Sequence, residues 1–561
     1  MRTKHILLFS LCLTAFSSCN YLDFDETDGL VTEESVYAYF STTKQVLTNV
    51  YSYLPQDFGV LDGAMRECGC DDAEFADESA SVQDFNTGNW SATNVIDDSW
   101  SLYEGVRAAN AFLEDLETAD FSRFQYESNY SRWMTQLETF APQARVLRAT
   151  FFFELARRYG DIAMPTTVLT EDEDRVITKT AFEDVIDFIV QECDECSELL
   201  PTSYSSTTYD SEVGRVTSGY ALALKSKALL YAASPLHNAS GDVTKWEESA
   251  AAAWALMQTG LYELTGTEAA NNPDSKEVVL AIRGGSTWDF ELMNFPIRFT
   301  AGQRTTTLTG TFPSQNLVDA FETINGYEVT LEEDGFVTDD PDFDTSDPYS
   351  DRDPRFARAI LADGMEFKSS TIDLTPSGAD NILRSEGGTP TGYFLKKYTI
   401  ESTNFEEGSE VTTTHAWIVY RYAETLLTYA ESMFYATGSY EDGGTYGMTA
   451  LEALNQVRAN AGMPDKAPTS NDEFEEMLRN EWRVEFAFED HRFWDVRRWQ
   501  IGSDTQKQLD GVSITSSNGV KQYARTNVEY RVWRSCMELY PIPLEKILIN
   551  SNLLPQNDGW D

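Results

Sequence analysis

Residues 479–499 read Arg-Asn-Glu-Trp-Arg-Val-Glu-Phe-Ala-Phe-Glu-Asp-His-Arg-Phe-Trp-Asp-Val-Arg-Arg-Trp, a dense group of proton-carrying side chains in a chain of 561 residues. Glu481, Glu485, Glu489, Asp490, His491 and Asp495 stand among Arg479, Arg483, Arg492, Arg497 and Arg498. A His followed by an Asp one helical turn later is the spacing of a general-base pair. The same block, however, continues an apolar helical stripe through Phe474, Leu478, Trp482 and Phe486, and Phe488, Phe493, Trp494 and Trp499 extend that face. Guanidiniums interleaved with carboxylates around packed aromatics describe charge pairs that fasten helices, and we read the block that way. Arg352-Asp-Pro-Arg-Phe356 reads likewise as a turn that locks the fold.

Other reactive patterns fall short. Arg283-Gly-Gly-Ser-Thr287 lacks the second Gly of a nucleophile elbow, and neither a His-Glu-x-x-His motif nor a phosphate loop is present. Cys68-Gly-Cys70 is one residue too short for the common zinc knuckle, Cys193 and Cys196 sit on an apolar helical stripe, and the chain has only 4 His. No metal-ligating residues and no cofactor are assigned; a bound structural cation and the redox state of Cys68, Cys70, Cys193, Cys196 and Cys536 both stay open. A glycosidase needs only two carboxylates, which 92 Asp and Glu supply without being informative. Against 42 Lys and Arg they leave a net charge of −50, which repels nucleic acid and anionic lipid and favours a neutral ligand.

The N-terminus has the form of an export signal. Arg2 and Lys4 precede the apolar run Ile6–Leu13, and Ser17 and Ser18 precede Cys19. We expect a signal peptide over 1–18, a lipidated Cys19, and an acidic tether over 19–32 beginning Asn20-Tyr-Leu-Asp-Phe-Asp-Glu26. Phe16 departs from the Leu usual before a lipidated Cys, and ordinary cleavage with Cys19 uninvolved is the alternative. No later segment is long and apolar enough to span a bilayer, so attachment is expected through lipid alone.

These groups must be positioned by a mainly helical chain. Stretches 33–54, 94–117 and 143–159 carry apolar residues at helical spacing, as do 179–199, 221–231, 243–258, 420–430 and 447–461. Small residues at close-approach points with bulky residues between them mark tetratricopeptide-like helix pairs. Helical pairs are expected over about 33–260 and 416–500, separated by a loop-rich stretch, about 261–415, with short strand-like runs at Val278–Ile282 and Trp417–Tyr420.

Landmarks along the whole chain resemble one family. They are Trp100-x-x-Tyr103 with Asn110, Leu147-Arg-Ala149, Tyr159-Gly-Asp-Ile-Ala-Met-Pro165, Pro313-Ser-Gln-Asn-Leu-Val-Asp-Ala-Phe-Glu322, Tyr420-Arg-Tyr-Ala-Glu424, the 479–499 block, Tyr540-Pro-Ile-Pro543 and Gln556-Asn-Asp-Gly-Trp560. In this order the sequence is similar to the SusD/RagB surface lipoproteins of Bacteroidetes. The resemblance implies a single SusD-like domain over 33–561 built on tetratricopeptide-like helix pairs. It also implies capture of a nutrient, usually a glycan, for a SusC-like TonB-dependent transporter in the outer membrane, without catalysis. In the RagB branch the ligand is a peptide; a lipid-anchored glycoside hydrolase is a third reading.

A sugar offers an apolar face with a hydroxyl rim, so its site needs exposed aromatic rings flanked by side chains able to make directed hydrogen bonds. Two regions combine these outside helical stripes: Asp57–Asn94, with Arg66, Asp71, Trp90 and Asn94, and Arg283–Arg304, with Trp288, Phe290 and Arg304. Trp90 and Trp288 are the expected ring platforms.

Overall fold

The computed structural model describes residues 36–97, 99–266 and 269–560; the expected leader, tether and Cys19 lie outside the described residues. Its helices follow the apolar periodicity. They are α1 (Phe40–Tyr51), α2 (Leu102–Leu116), α3 (Phe140–Tyr159), α4 (Phe182–Leu199), α5 (Ser218–Ala233) and α6 (Val243–Gln258), then α7 (Tyr422–Thr437), α8 (Ala450–Ala461), α9 (Asn471–Glu485) and α10 (Arg492–Arg498). Along α3 only Ala141 and Arg145 reach solvent, and its Gln143, Arg148, Glu154, Arg157 and Arg158 are buried with polar partners. α3 starts three residues before the expected Gln143, because Pro142 falls in the first turn, where its missing N–H has no intrahelical acceptor to lose. Gly160, at φ 69°, ends it.

From α2 to α8 each helix packs on the next, and α6 packs directly on α7 although residues 259–421 separate them in sequence. The row of helices therefore runs unbroken past a long insert, and the fold is mainly helical with small scattered sheets. Close approach is needed where α2 meets α3: a Cβ on Gly105 would lie 2.8 Å from the Tyr53 Cβ and 2.9 Å from the Phe151 ring. One large apolar core spans the N-terminal helices and the insert. A second, with Trp246, Tyr429, Phe474, Trp482 and Trp499, lies among α6, α7, α8 and α9.

The described strands form seven two-stranded sheets, all antiparallel. β1 (Ala73–Phe75) pairs with β3 (Thr311–Pro313), tying the first loop region to the insert. β2 (Val278–Thr287) pairs with β4 (Thr413–Arg421), register Val278 to Arg421 and Thr287 to Thr413, so the insert closes on itself next to the helices. This strand continues through Arg421, and α7 begins at Tyr422 rather than at the expected Tyr420. A hairpin of β5 (Gln508–Ser517) and β6 (Val520–Tyr530) escaped the sequence reading. Both strands are too polar to alternate cleanly, although the Asn518-Gly519 turn, with φ 54° and 80°, carries the signature of a type I′ connection.

Most charges of the 479–499 block are paired inside the molecule; Arg497 instead lies over the Phe493 ring and donates to the Phe493 carbonyl (2.7 Å), and Arg479 meets Glu475 at the partly exposed surface. Arg421 donates to Glu277 (2.8 Å), Glu485 (2.5 Å) and Glu489 (2.8 Å), all buried. Arg498 bonds Glu431 (2.6 Å) and Asp495 (2.7 Å). The His491–Asp495 base pair does not form: Asp495 serves Arg498, while the His491 ring lies on Phe486 at 4.2 Å, its Nε2 3.5 Å from Glu424.

Burial alone would raise the Glu485 carboxyl, but Arg421 and Arg355 outweigh it and hold it at about 2. A folded pKa below the ordinary 4.5 gives stability that is complete above that pH and lost as the pH falls toward 2. The stability difference between wild type and Glu485→Gln, measured by urea unfolding, is therefore expected to narrow steadily from pH 5 to pH 3. Arg421→Ala, which leaves three buried carboxylates short of a partner, is expected to lose about 3–5 kcal/mol by urea unfolding at pH 7.

Candidate functional site

The two loop regions singled out in the sequence meet in part. Phe58 sits in an aromatic box against Phe290 (5.1 Å between ring centroids), Tyr398 (5.1 Å), Trp417 (5.2 Å) and His415 (5.7 Å). Phe290 belongs to a short helix, Asp289–Asn294, that follows β2 directly. Its neighbour Glu291, fully buried, accepts a hydrogen bond from the Ile400 amide (2.9 Å) and lies 2.8 Å from His415 Nε2. Anchored from below in this way, the end of β2 holds Trp288 half-buried, its ring 5.6 Å from Phe405. Ser286 and Thr412 share a 2.6 Å hydrogen bond beside it, and Asp289 is exposed.

At its other end β2 walls a cavity of about 350 Å³. Tyr204, Arg215, Thr217, Tyr262, Asp274 and Arg283 line it. The Tyr262 ring is laid against α5 at Gly219, where a Cβ would fall 2.2 Å from its hydroxyl; the absence of a side chain there is what seats the ring. Tyr262 shares a 3.4 Å hydrogen bond with Thr217, and burial raises its phenol above the ordinary value. Arg215 donates to Glu212 (2.6 Å) and Gln143 (3.2 Å), and Arg283 to Asp274 (2.7 Å). Arg215 also borders a second cavity of about 350 Å³, lined by Phe40, Lys44, Thr48, Trp133 and Asp210. A concave space of this size with seated rings and a polar rim suits a small polar ligand with apolar faces. From Ala281 in the cavity wall to Trp288 the strand covers about 23 Å at ~3.3 Å per residue. The sequence reading missed Tyr262; its one signal was an aromatic placed two residues after the Gly260 that follows α6.

Several expected contacts are internal. Trp90, 2% exposed, is enclosed edge-on by Phe85 (4.7 Å), Tyr540 (4.8 Å) and Trp560 (4.9 Å), so it offers no free face. Phe290 is buried in the aromatic box, and its role is to anchor the loop. Arg66 is buried between Asp490 (2.7 Å) and Asp97 (3.3 Å). Asp71, also buried, accepts from Arg492 (2.8 Å), Arg483 (2.9 Å) and Gln506 (2.6 Å); burial acts to raise its carboxyl, but the two guanidiniums hold it well below the usual range. Arg304 is buried and donates to the backbone carbonyls of Leu292 (2.8 Å) and Phe295, closing its own loop, and burial lowers it to about 10. Asn94 is exposed, but its amide donates to Asp84 (2.7 Å) within a turn that lies against the C-terminal segment, apart from the aromatic box. Only Trp288 among the expected rings retains surface. Cys68, Cys70, Cys193 and Cys196 are buried free thiols whose pKa burial pushes up. No helix among the described residues is long and apolar enough to cross a membrane.

Trp90→Ala is expected to destabilise the fold by about 3–5 kcal/mol in urea unfolding, the cost of emptying a packed aromatic site.

Known proteins place this geometry in a family. Residues 276–560 match the model described as the SusD family, and residues 21–230 match one described as starch-binding associating with outer membrane. The chain is 24% identical over 429 residues to SusD-like protein P2 of Formosa agariphila, covering 75% of this chain and 74% of that one. Among solved structures, a SusD-like protein from Bacteroides fragilis is similar with a TM-score of 0.78 and 28% identity, covering 96% of this chain and 100% of the other. A second protein from that organism, described as a SusD-like carbohydrate binding protein, is similar with a TM-score of 0.71 and 23% identity over 93% of this chain and 100% of its own. With a family model matched across half its length and the same fold throughout, the chain belongs to the SusD family.

Proposed function

We propose that the protein is a cell-surface lipoprotein, tethered through Cys19, that captures a neutral oligo- or polysaccharide and passes it to a SusC-like TonB-dependent transporter. The observation that carries the reading is the cavity at the start of β2, lined by Tyr262, with the half-buried Trp288 about 23 Å farther along the same strand. Seated aromatic rings stack on sugar faces, while Arg215, Thr217, Asp274 and Arg283 supply directed hydrogen bonds to hydroxyls. The excess of carboxylates over cations, −50 in all, argues against an anionic ligand. The carbohydrate binding described for a protein of similar fold supports the ligand class. Most charges that tempt a catalytic reading, those of the 479–499 block, are committed to ion pairs, Glu485 and Glu489 with Arg421 and Asp495 with Arg498.

Affinity electrophoresis against a panel of α-glucan, β-glucan, mannan and xylan tests the proposal. At least one polysaccharide is expected to retard the wild type and to be recovered uncleaved. Trp288→Ala and Tyr262→Ala are each expected to weaken that retardation roughly tenfold, with helical circular dichroism unchanged. No retardation by any polysaccharide, with peptides co-purifying instead, would move the ligand to the peptide class.

A further inference from the structure

Where the first loop region meets the 479–499 block, carboxylates outnumber their partners. Asp57, Glu67 and Asp490 each place one carboxylate oxygen in a group whose members all lie within 4.8 Å of one another. Asp57 is 1% exposed and Glu67 is fully buried. Among the described residues, neither carboxylate oxygen of Glu67 has a hydrogen-bond partner, nor does Oδ1 of Asp57, whose Oδ2 accepts from the Arg66 amide at 2.7 Å. A buried carboxylate with both oxygens unmet is rare, because each unmet group forfeits its hydration without replacement.

The surrounding charges do not close the balance. Asp490 is paired with Arg66 (2.7 Å) and Arg157 (3.2 Å), Asp97 with Arg66 and Arg158, and Glu154 with Arg157 and Arg158. By formal charge, the three guanidiniums paired here face five carboxylates, Asp57, Glu67, Asp97, Glu154 and Asp490; the next buried guanidinium, Arg497, is taken up by the Phe493 carbonyl and ring. The adjoining Asp71 and Asp72 are matched by Arg483 and Arg492 and lend nothing. Burial, then the neighbouring carboxylates, push Glu67 well above the usual range. Backbone strain marks the same place: Phe488 and Asp490 hold φ of 62° and 60°, a region that non-glycine residues occupy at a cost. A cavity of about 40 Å³ reaches Asp490, room for roughly two ordered waters.

We propose that Asp57, Glu67 and Asp490 bind one divalent cation, calcium by size and ligand type, which joins the N-terminal loop to the C-terminal block. Oxygen-only donors select a hard cation, and a spread within 4.8 Å is twice a calcium–oxygen distance of about 2.4 Å. Two charges on one ion cancel the surplus and satisfy the unmet oxygens together. Waters in the adjoining cavity would fill out the coordination.

The test uses the full exported protein after dialysis against EDTA. Added CaCl₂, compared with NaCl of equal ionic strength, is expected to restore one metal equivalent per chain by elemental analysis and to raise the melting temperature by about 5 °C. Terbium is expected to show emission on tryptophan excitation, since Arg66 spans Asp490 and the Trp494 ring at 5.5 Å, and calcium should displace it. Glu67→Gln should abolish the metal equivalent, the melting shift and the emission together. Absence of bound metal and of a calcium-dependent shift in the wild type would overturn the proposal and assign protons to these carboxyls. A shift that survives in Glu67→Gln would overturn it equally, by placing the ion elsewhere. Should that variant fail to fold, wild-type terbium emission decides: none means no site.

Discussion

Arg421 stands where the insert rejoins the helical row, and its pairing with Glu277, Glu485 and Glu489 sets the geometry of what lies on either side. Glu277 immediately precedes β2, Arg421 ends β4, and the Tyr422 amide that opens α7 donates to the Glu277 carbonyl. One guanidinium therefore clamps both ends of a long excursion to α9 and the turn that follows it. Buried ion pairs add little net stability over an apolar substitute, but removing one partner is severe. Here they tie the residue before β2, the end of β4 and the end of α9 to one guanidinium.

The candidate site inherits that constraint. β2 leaves the clamp at Glu277, forms a cavity wall, and delivers Trp288 at its far end, with the Phe58–Phe290 box underneath. Gly219 of α5 seats Tyr262, so the helical row contributes directly to the cavity that the start of β2 walls. Rings held in place before a ligand arrives lose little freedom on binding, the advantage of mounting a shallow site on rigid elements.

Helix positions were legible because apolar period and burial agree in α4 and α9, and the charged character of 479–499 because five acids and five arginines interleave there among the aromatics. Ring exposure was not legible. Trp90 and Trp288 both stand among Asn, Asp, Ser and Thr, yet one is enclosed by Tyr540 and Trp560, hundreds of residues away, and the other is not. Polar neighbours in sequence report the turn a residue sits in, whereas burial is set by what the distant chain lays over it. The same holds for Arg66 and Asp71, whose partners come from the 479–499 block and its flank. Tyr262 depends on a bare glycine in another helix, a contact that no local pattern announces.

Hydrogen exchange, followed by mass spectrometry on the wild-type protein with and without each soluble neutral polysaccharide, addresses the central claim most directly. A glycan ligand held along β2 predicts slowed exchange confined to the segments around Tyr262 and 281–293, with the 57–77 and 479–499 regions unchanged. Unaltered exchange with every polysaccharide, or protection only in segments remote from β2, would contradict the account.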